Sequence, residues 1–323
     1  MKSLSMIQKA TVVLAISFLF SVSSVAQQSR SDAPQESDTV KVDTDLVSLS
    51  VTVMDRSGRA VTGLTKEDFK VYENGVEQPV SFFSGEAAPA SWGLVLDRSG
   101  SMEGMIGDVY QAALHIIDEG TEQDEMFIVT FNDHVEIVND FTSDRHRLEN
   151  SILGLRADGR TALYDAVAFA VDHIQRGKHK KKVLMMLTDG EDNTSRLKFR
   201  KLIERVEEEN VLIYTVGMFQ SMDVGSRRMG SMGGRDTRRE LERLAEVTGA
   251  RAHFPTEIEQ CRKSMREIAR EVSQQYSLGY YPTNRSRDGK WRELRVVVEQ
   301  GASKKKYVAR SRPGYYFSRA GMR

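Results

Sequence analysis

A chain of 323 residues, 40% of them hydrophobic, is long enough for one large domain plus a smaller one around a buried core. Forty-six basic residues balance 46 acidic ones, so there is no net field to gather nucleic acid or an anionic membrane surface. The single cysteine, Cys261, excludes internal disulfides, and burial must hold the fold together.

The N-terminus reads as an export signal: Lys2 and Lys9 give a positive start, residues 10–20 an apolar run, and Ser24-Val25-Ala26 a small-residue cleavage site. Residues 1–26 are expected to be a signal peptide. An uncleaved anchor is the alternative, but the run falls short of the roughly 20 residues that span a bilayer. Cleavage would remove two lysines and no acid. The mature chain is therefore expected in the periplasm, outside the cell or on its surface, with no stable transmembrane anchor. Residues 27–42, rich in Gln, Ser and Asp, read as a flexible leader.

Residues 43–86 read as an N-terminal β segment. Leu46, Leu49, Val51 and Val53 mostly alternate with polar residues, and a turn at Asp55-Arg56-Ser57-Gly58 leads to Val61 as a hairpin. A second hairpin is expected from Phe69, Val71 and Tyr72 through Asn74-Gly75 to Val80, Phe82 and Phe83.

From Trp92 the rhythm becomes short apolar runs, at 93–96, 126–131, 183–187, 211–216 and 250–254, separated by helical patterns. The helices are expected around 105–119, 144–153, 163–175, 197–209, 238–247 and 258–274. Residues 134–138 follow Phe131 too closely for a crossover and read as an antiparallel edge strand. The fold class is α/β, a doubly wound and mainly parallel sheet over residues 92–273, flanked by a small accessory β structure. Cys261 falls on one helical face with Ile258, Met265, Ile268 and Val272 and reads as a core thiol.

Residues 276–316 read as a C-terminal β segment, with strands at 276–281, 292–298 and 305–316 pairing as a meander. Lys304, Lys305 and Lys306 read as a solvated strand edge that guards against aggregation rather than an anion site.

Chemistry concentrates in three words. Asp97, Ser99 and Ser101 stand at single-residue spacing after an apolar strand, at the carboxyl edge where open α/β sheets place ligands. Thr161 precedes a helix, and Asp189 in Thr188-Asp189-Gly190 follows the strand at 183–187. Hard cations take such oxygens, and Mg²⁺ needs only a few from the protein because it keeps several waters. Each word alone is weak, since Asp and Ser also cap helices and form turns, and Ser99 or Ser101 as an N-cap is the plainer reading.

Together, in this order, the five residues resemble the metal-ion-dependent adhesion site of von Willebrand factor type A domains, and the words GRTALYDA from Gly159 and LTDGEDN from Leu187 resemble bacterial members. The resemblance implies one divalent cation per chain, Mg²⁺ or else Mn²⁺ or Ca²⁺. Asp97, Ser99, Ser101, Thr161 and Asp189 would be its metal site, the two Asp acting chiefly through water. A protein partner's Glu or Asp would complete the shell. It thus implies a noncatalytic, adhesion-type protein-binding module. The flanking words Val61 to Phe69 and Arg312-Pro313-Gly314-Tyr315-Tyr316 resemble a bacterial subgroup, described in acidobacteria, whose two ends wrap the domain as one β structure.

Two alternatives stay open. A metal-dependent phosphatase-like hydrolase would use Asp97 as a nucleophile, but the haloacid dehalogenase pattern wants an Asp where Ser99 stands. A purely structural assembly module would use the cation to pin loops. No nucleophile elbow, metalloprotease helix, phosphate loop or dinucleotide fingerprint occurs, and the six histidines are scattered. The stretch 219–237, rich in Gly, Met, Ser and Arg, reads either as a partner-contacting loop beside the site or as a flexible insertion.

Overall fold

A computed structural model describes residues 46–85, 88–218, 233–299 and 307–317. The signal and leader segments, the three lysines at 304–306 and most of the 219–237 stretch lie outside them.

Among the described residues the chain forms β1 (Val47–Met54), β2 (Phe69–Glu73), β3 (Val76–Gln78), β4 (Val80–Ser84) and β5 (Ala90–Asp97). There follow α1 (Ile106–Glu119), β6 (Glu125–Phe131), β7 (Val135–Thr142), α2 (Arg145–Ile152), α3 (Leu163–Ile174), β8 (Lys181–Thr188), α4 (Phe199–Glu208) and β9 (Leu212–Gly217). The remainder is α5 (Gly233–Glu246), β10 (Ala252–His253), α6 (Ile258–Ser273), β11 (Tyr276–Tyr280), β12 (Trp291–Val298), β13 (Val308–Arg310) and β14 (Gly314–Tyr316). No helix here is long and apolar enough to cross a membrane.

The central sheet runs β10-β9-β8-β5-β6-β7, parallel except for the edge strand β7, which turns back on β6 as the short 132–134 connection requires. Its middle strands are buried on both faces, the reason they read as continuous apolar runs. Leu94, Leu96, Met185 and Tyr214 pack with α1, α2 and α6 on one face. Val95, Phe127, Phe131 and Met186 pack with α3, α4 and α5 on the other. Gly93 sits where a Cβ would lie 2.4 Å from the Phe127 ring, so only glycine lets the strands and that ring close up.

The two ends of the chain build two four-stranded sheets, β13-β1-β11-β4 and β14-β12-β2-β3, around a shared core of Leu49, Val51, Phe69, Val71, Tyr276, Leu278 and Val296. At its centre Glu73 accepts from Arg292 Nη1 at 2.9 Å, from the Tyr280 hydroxyl at 2.7 Å and from the Tyr315 hydroxyl at 2.8 Å.

Several pairings differ from the sequence reading. Asn74-Gly75 does turn β2 back, but onto β3; Pro79 then breaks the strand, and β4 crosses to the other sheet beside β11. After the Asp55–Gly58 turn only an isolated bridge, Met54 to Ala60, forms in place of a hairpin. The C-terminal strands do not form a meander: β11 pairs with β1 and β4, β12 with β2 and β14, and β13 with β1. The run at 250–254 contributes only the two residues of β10.

Candidate metal centre

The carboxyl ends of β5 and β8 lie side by side, and the loops that leave them meet the loop before α3. Asp97 occupies the last rung of β5, level with Phe131 of β6. Its side chain is fully buried, with Oδ1 accepting from Ser99 N at 2.9 Å and Oδ2 from the Thr188 hydroxyl at 2.5 Å. Burial pushes the Asp97 carboxyl up to about 6; the bonds from Thr188 and Ser99 oppose that rise, and the charge of Asp189 adds to it.

Ser99 and Ser101 are not spent on capping. A 3-10 turn, Gly100–Met102, follows Asp97, and α1 begins only at Ile106, with Met105 at its N-cap. Ser99 makes no side-chain cap bond; its hydroxyl instead lies 3.1 Å from that of Ser101, which is exposed. The plainer N-cap reading of these serines therefore fails.

Thr161 is 1% exposed, and its hydroxyl has no hydrogen-bond partner among the described residues. Nor does it cap α3: Asp192 Oδ1 accepts from Tyr164 N at 3.3 Å, and the Ser195 hydroxyl accepts from Asp165 N at 3.1 Å. The loop after β8 thus caps α3 from a distance and leaves Thr161 uncommitted. Asn193 from that same loop holds the Thr161 segment, its Oδ1 accepting from Thr161 N at 3.0 Å and its own N donating to Thr161 O at 3.0 Å.

The loops of Asp97 and Thr161 are also tied, Gly100 N donating to Gly159 O at 2.9 Å and Asp158 N to Arg98 O at 2.8 Å. Gly159 has φ +77°, and a Cβ there would strike Asp133 Oδ1 at 2.2 Å. Asp189 is half-buried, and its Oδ1 accepts from Glu191 N at 3.2 Å in a local turn.

Thr188, Asn193, Asn132 and Asp192 were not singled out from sequence. Thr188 and Asp192 stand in the very word that supplied Asp189, and the strand-end hydroxyl beside a carboxylate was the available signal. Asn132, whose Nδ2 donates to Asp158 O at 3.0 Å, gave none.

This set suits a hard cation better than a soft one: it offers hydroxyl and carboxylate oxygens, and among the described residues no three His, Cys, Asp or Glu side chains cluster as ligands. Two oxygens on adjacent corners of a Mg²⁺ octahedron stand about 2.9 Å apart. The Ser99–Ser101 separation of 3.1 Å meets that spacing without rearrangement.

A protein of Synechocystis sp. strain PCC 6803, the uncharacterized protein sll0103, is 32% identical over 108 residues, 32% of this chain and 26% of its own length. The chain thus spans about a quarter of that curated relative. The von Willebrand factor type A structure from Catenulispora acidiphila superposes with a TM-score of 0.50 at 12% identity, covering 86% of this chain and 76% of that one. BatB from Bacteroides thetaiotaomicron is similar at a TM-score of 0.46 and 14% identity, over 57% and 97% of the two chains. The family model for the von Willebrand factor type A domain matches residues 93–269, more than half of the chain. This chain therefore belongs to the von Willebrand factor type A domain family.

Proposed function

We propose that the chain is an exported, noncatalytic protein-binding module that holds one divalent cation, Mg²⁺ or Mn²⁺, and through it grips an acidic residue of a protein partner. One observation carries the reading: beside the buried Asp97, the Ser99 and Ser101 hydroxyls face each other at 3.1 Å instead of capping a helix. Ser99, Ser101 and Thr161 are the residues that would hold the cation. Asp97 and Asp189 would supply its counter-charge, Asp97 from behind, because both its oxygens are already engaged. A bound cation supplies a positive, electrophilic centre for a carboxylate.

The same engagement argues against the hydrolase reading. An Asp97 that is fully buried and held by a hydrogen bond at each oxygen is poorly placed to attack a phosphorus centre. Export rests on the charged start, apolar run and Ser24-Val25-Ala26 of the first 26 residues, and it places the module in the periplasm, at the surface or outside the cell.

The test is calorimetry and thermal unfolding of the intact protein. Millimolar Mg²⁺ or Mn²⁺ should bind and raise Tm, a cation at a hundred times its Kd adding about 2.7 kcal/mol, and Asp97→Ala should abolish the gain. No heat of binding at millimolar cation would sink the metal reading. A pull-down with and without chelator then tests whether partner capture depends on the cation.

A further inference from the structure

The loop that carries the chain from α3 into β8 reads Arg176-Gly177-Lys178-His179-Lys180-Lys181-Lys182. Part of this charge is spent inside the protein: Lys181 is buried with its Nζ donating to Val272 O at 2.8 Å, and Lys182 Nζ donates to the Gly177 carbonyl. His179 is drawn in as well, its N donating to Ser91 Oγ at 3.1 Å and its ring meeting the Gln123 carbonyl at 2.8 Å. Arg176, Lys178 and Lys180 remain exposed. Lys178 stands 3.9 Å from a Glu125 already engaged by the Ser91 hydroxyl and by Lys178 N. Arg176 and Lys180 have no carboxylate within ion-pair distance among the described residues. The bonds from Lys178 N and His179 N hold the loop in one shape, so these three cations are presented without the ordering cost of a mobile segment.

The same corner exposes aromatic surface. Lys180 Nζ stands 5.3 Å from the centroid of the Phe82 ring, on β4, and Phe82 is 41% exposed. A second exposed aromatic, Tyr281 at 45%, follows the end of β11, the strand paired with β4. A soluble polyanion would satisfy the three cations and leave both rings in water. An anionic phospholipid surface takes both, its phosphates meeting the cations and its interfacial layer the rings.

Net neutrality does not oppose this, because at physiological salt charges are screened beyond about 8 Å and a patch acts locally. Asp118 and Glu119 end α1, which packs on the opposite face of the central sheet from α3. We propose that Arg176, Lys178 and Lys180, with Phe82 and Tyr281, form a membrane-surface site that rests on anionic phospholipid headgroups. The loop leads into the amino end of β8, whereas the cation site gathers at the carboxyl ends of β5 and β8. A chain seated on this loop therefore turns its cation site away from the lipid, and the proposal stands independently of whether a cation binds.

The test is partition of the full chain onto vesicles of phosphatidylcholine alone or mixed with an equal amount of phosphatidylglycerol. Binding is expected only with phosphatidylglycerol and should be lost at about 1 M salt, where screening acts within about 3 Å. Each basic residue near such a surface is worth about a factor of five, so the triple variant Arg176→Gln, Lys178→Gln, Lys180→Gln should bind about 100-fold more weakly. Removing equal charge at exposed Lys198, Lys263 and Arg266 should leave binding unchanged. Phe82→Trp reports the site itself, whatever the first 26 residues contribute: brominated phosphatidylglycerol should quench its emission, but not that of buried Trp92 or of Trp291, which lies in the other accessory sheet. No binding to phosphatidylglycerol vesicles, equal losses in the two triple variants, or an unquenched Trp at position 82 on bound protein overturns the proposal. So does retention on immobilised polyphosphate without retention on vesicles, which would assign the loop to a soluble polyanion.

Discussion

The Thr188 hydroxyl donates to Asp97 Oδ2 at 2.5 Å while accepting from Gly190 N at 2.8 Å. One side chain therefore ties the end of β8 to the end of β5 and fixes which way the Asp97 carboxylate faces. Thr188→Val keeps the shape and removes both bonds. Mn²⁺ affinity is expected to fall about 10- to 100-fold by calorimetry, the usual cost of losing a group that orients a metal site from behind, whereas Thr188→Ser retains it. Equal affinity in wild type and Thr188→Val would remove Thr188 from the site while leaving the cation reading intact.

The raised Asp97 carboxyl makes the cation-free protein pH-sensitive. Its folded value of about 6 lies above the ordinary 3.8, so the folded state favours the protonated form. That contribution is full below about pH 4 and is lost as pH climbs through 6, a loss of about 3 kcal/mol at 1.36 kcal/mol per unit. Urea unfolding in chelator at pH 4 to 7 should show wild type losing stability relative to Asp97→Asn by an amount of that order. Parallel pH profiles for the two proteins would refute the shift.

Gly249 has φ +82°, and a Cβ there would lie 2.6 Å from Arg312 N and from the Ser311 carbonyl carbon. Gly154 has φ +75° with nothing within 4 Å. Both carry the left-handed backbone cost, about 1–2 kcal/mol for a side chain, but only Gly249 adds a backbone collision. Gly249→Ala should therefore lower Tm well beyond Gly154→Ala; equal losses would mean that the 249 and 311–312 segments separate easily.

In the accessory sheets, the side chains of Glu73 and Arg292 are each 2% exposed and paired at 2.9 Å. Glu73→Leu leaves the guanidinium buried without its countercharge and strands the Tyr280 and Tyr315 hydroxyls. A loss of about 3–5 kcal/mol is expected by chemical denaturation. Adding Arg292→Met in the same chain should recover part of it, since an apolar pair needs no compensation.

The central sheet was legible because its signals are local. Doubly buried strands read as unbroken apolar runs, helices as periodic faces, and the three-residue 132–134 connection forced β7 antiparallel. The oxygen-bearing loops were legible for the same reason, each being a short word at a strand end or helix start. Thr188 was harder to see, because in sequence it is simply the last residue of a strand; only the parallel register of β8 against β5 brings it to Asp97.

The accessory strands were misread where partner choice is nonlocal. Alternation at 69–72 and 80–83 says that each is a strand but not that they belong to different sheets. Pro79, which lacks the N–H needed to continue a ladder, was the one local mark of that switch. Likewise nothing in 276–280 announces that its neighbours are β1 and β4, more than 190 residues upstream.

That pairing has a topological consequence. The chain leaves the sandwich at Ser84 and returns at Ser277, and these two residues face each other on one antiparallel rung. In the architecture of the sandwich, the whole α/β unit occupies the place of a hairpin loop. Both of its tethers issue from adjacent strands, so a force applied to that unit reaches β4 and β11 together.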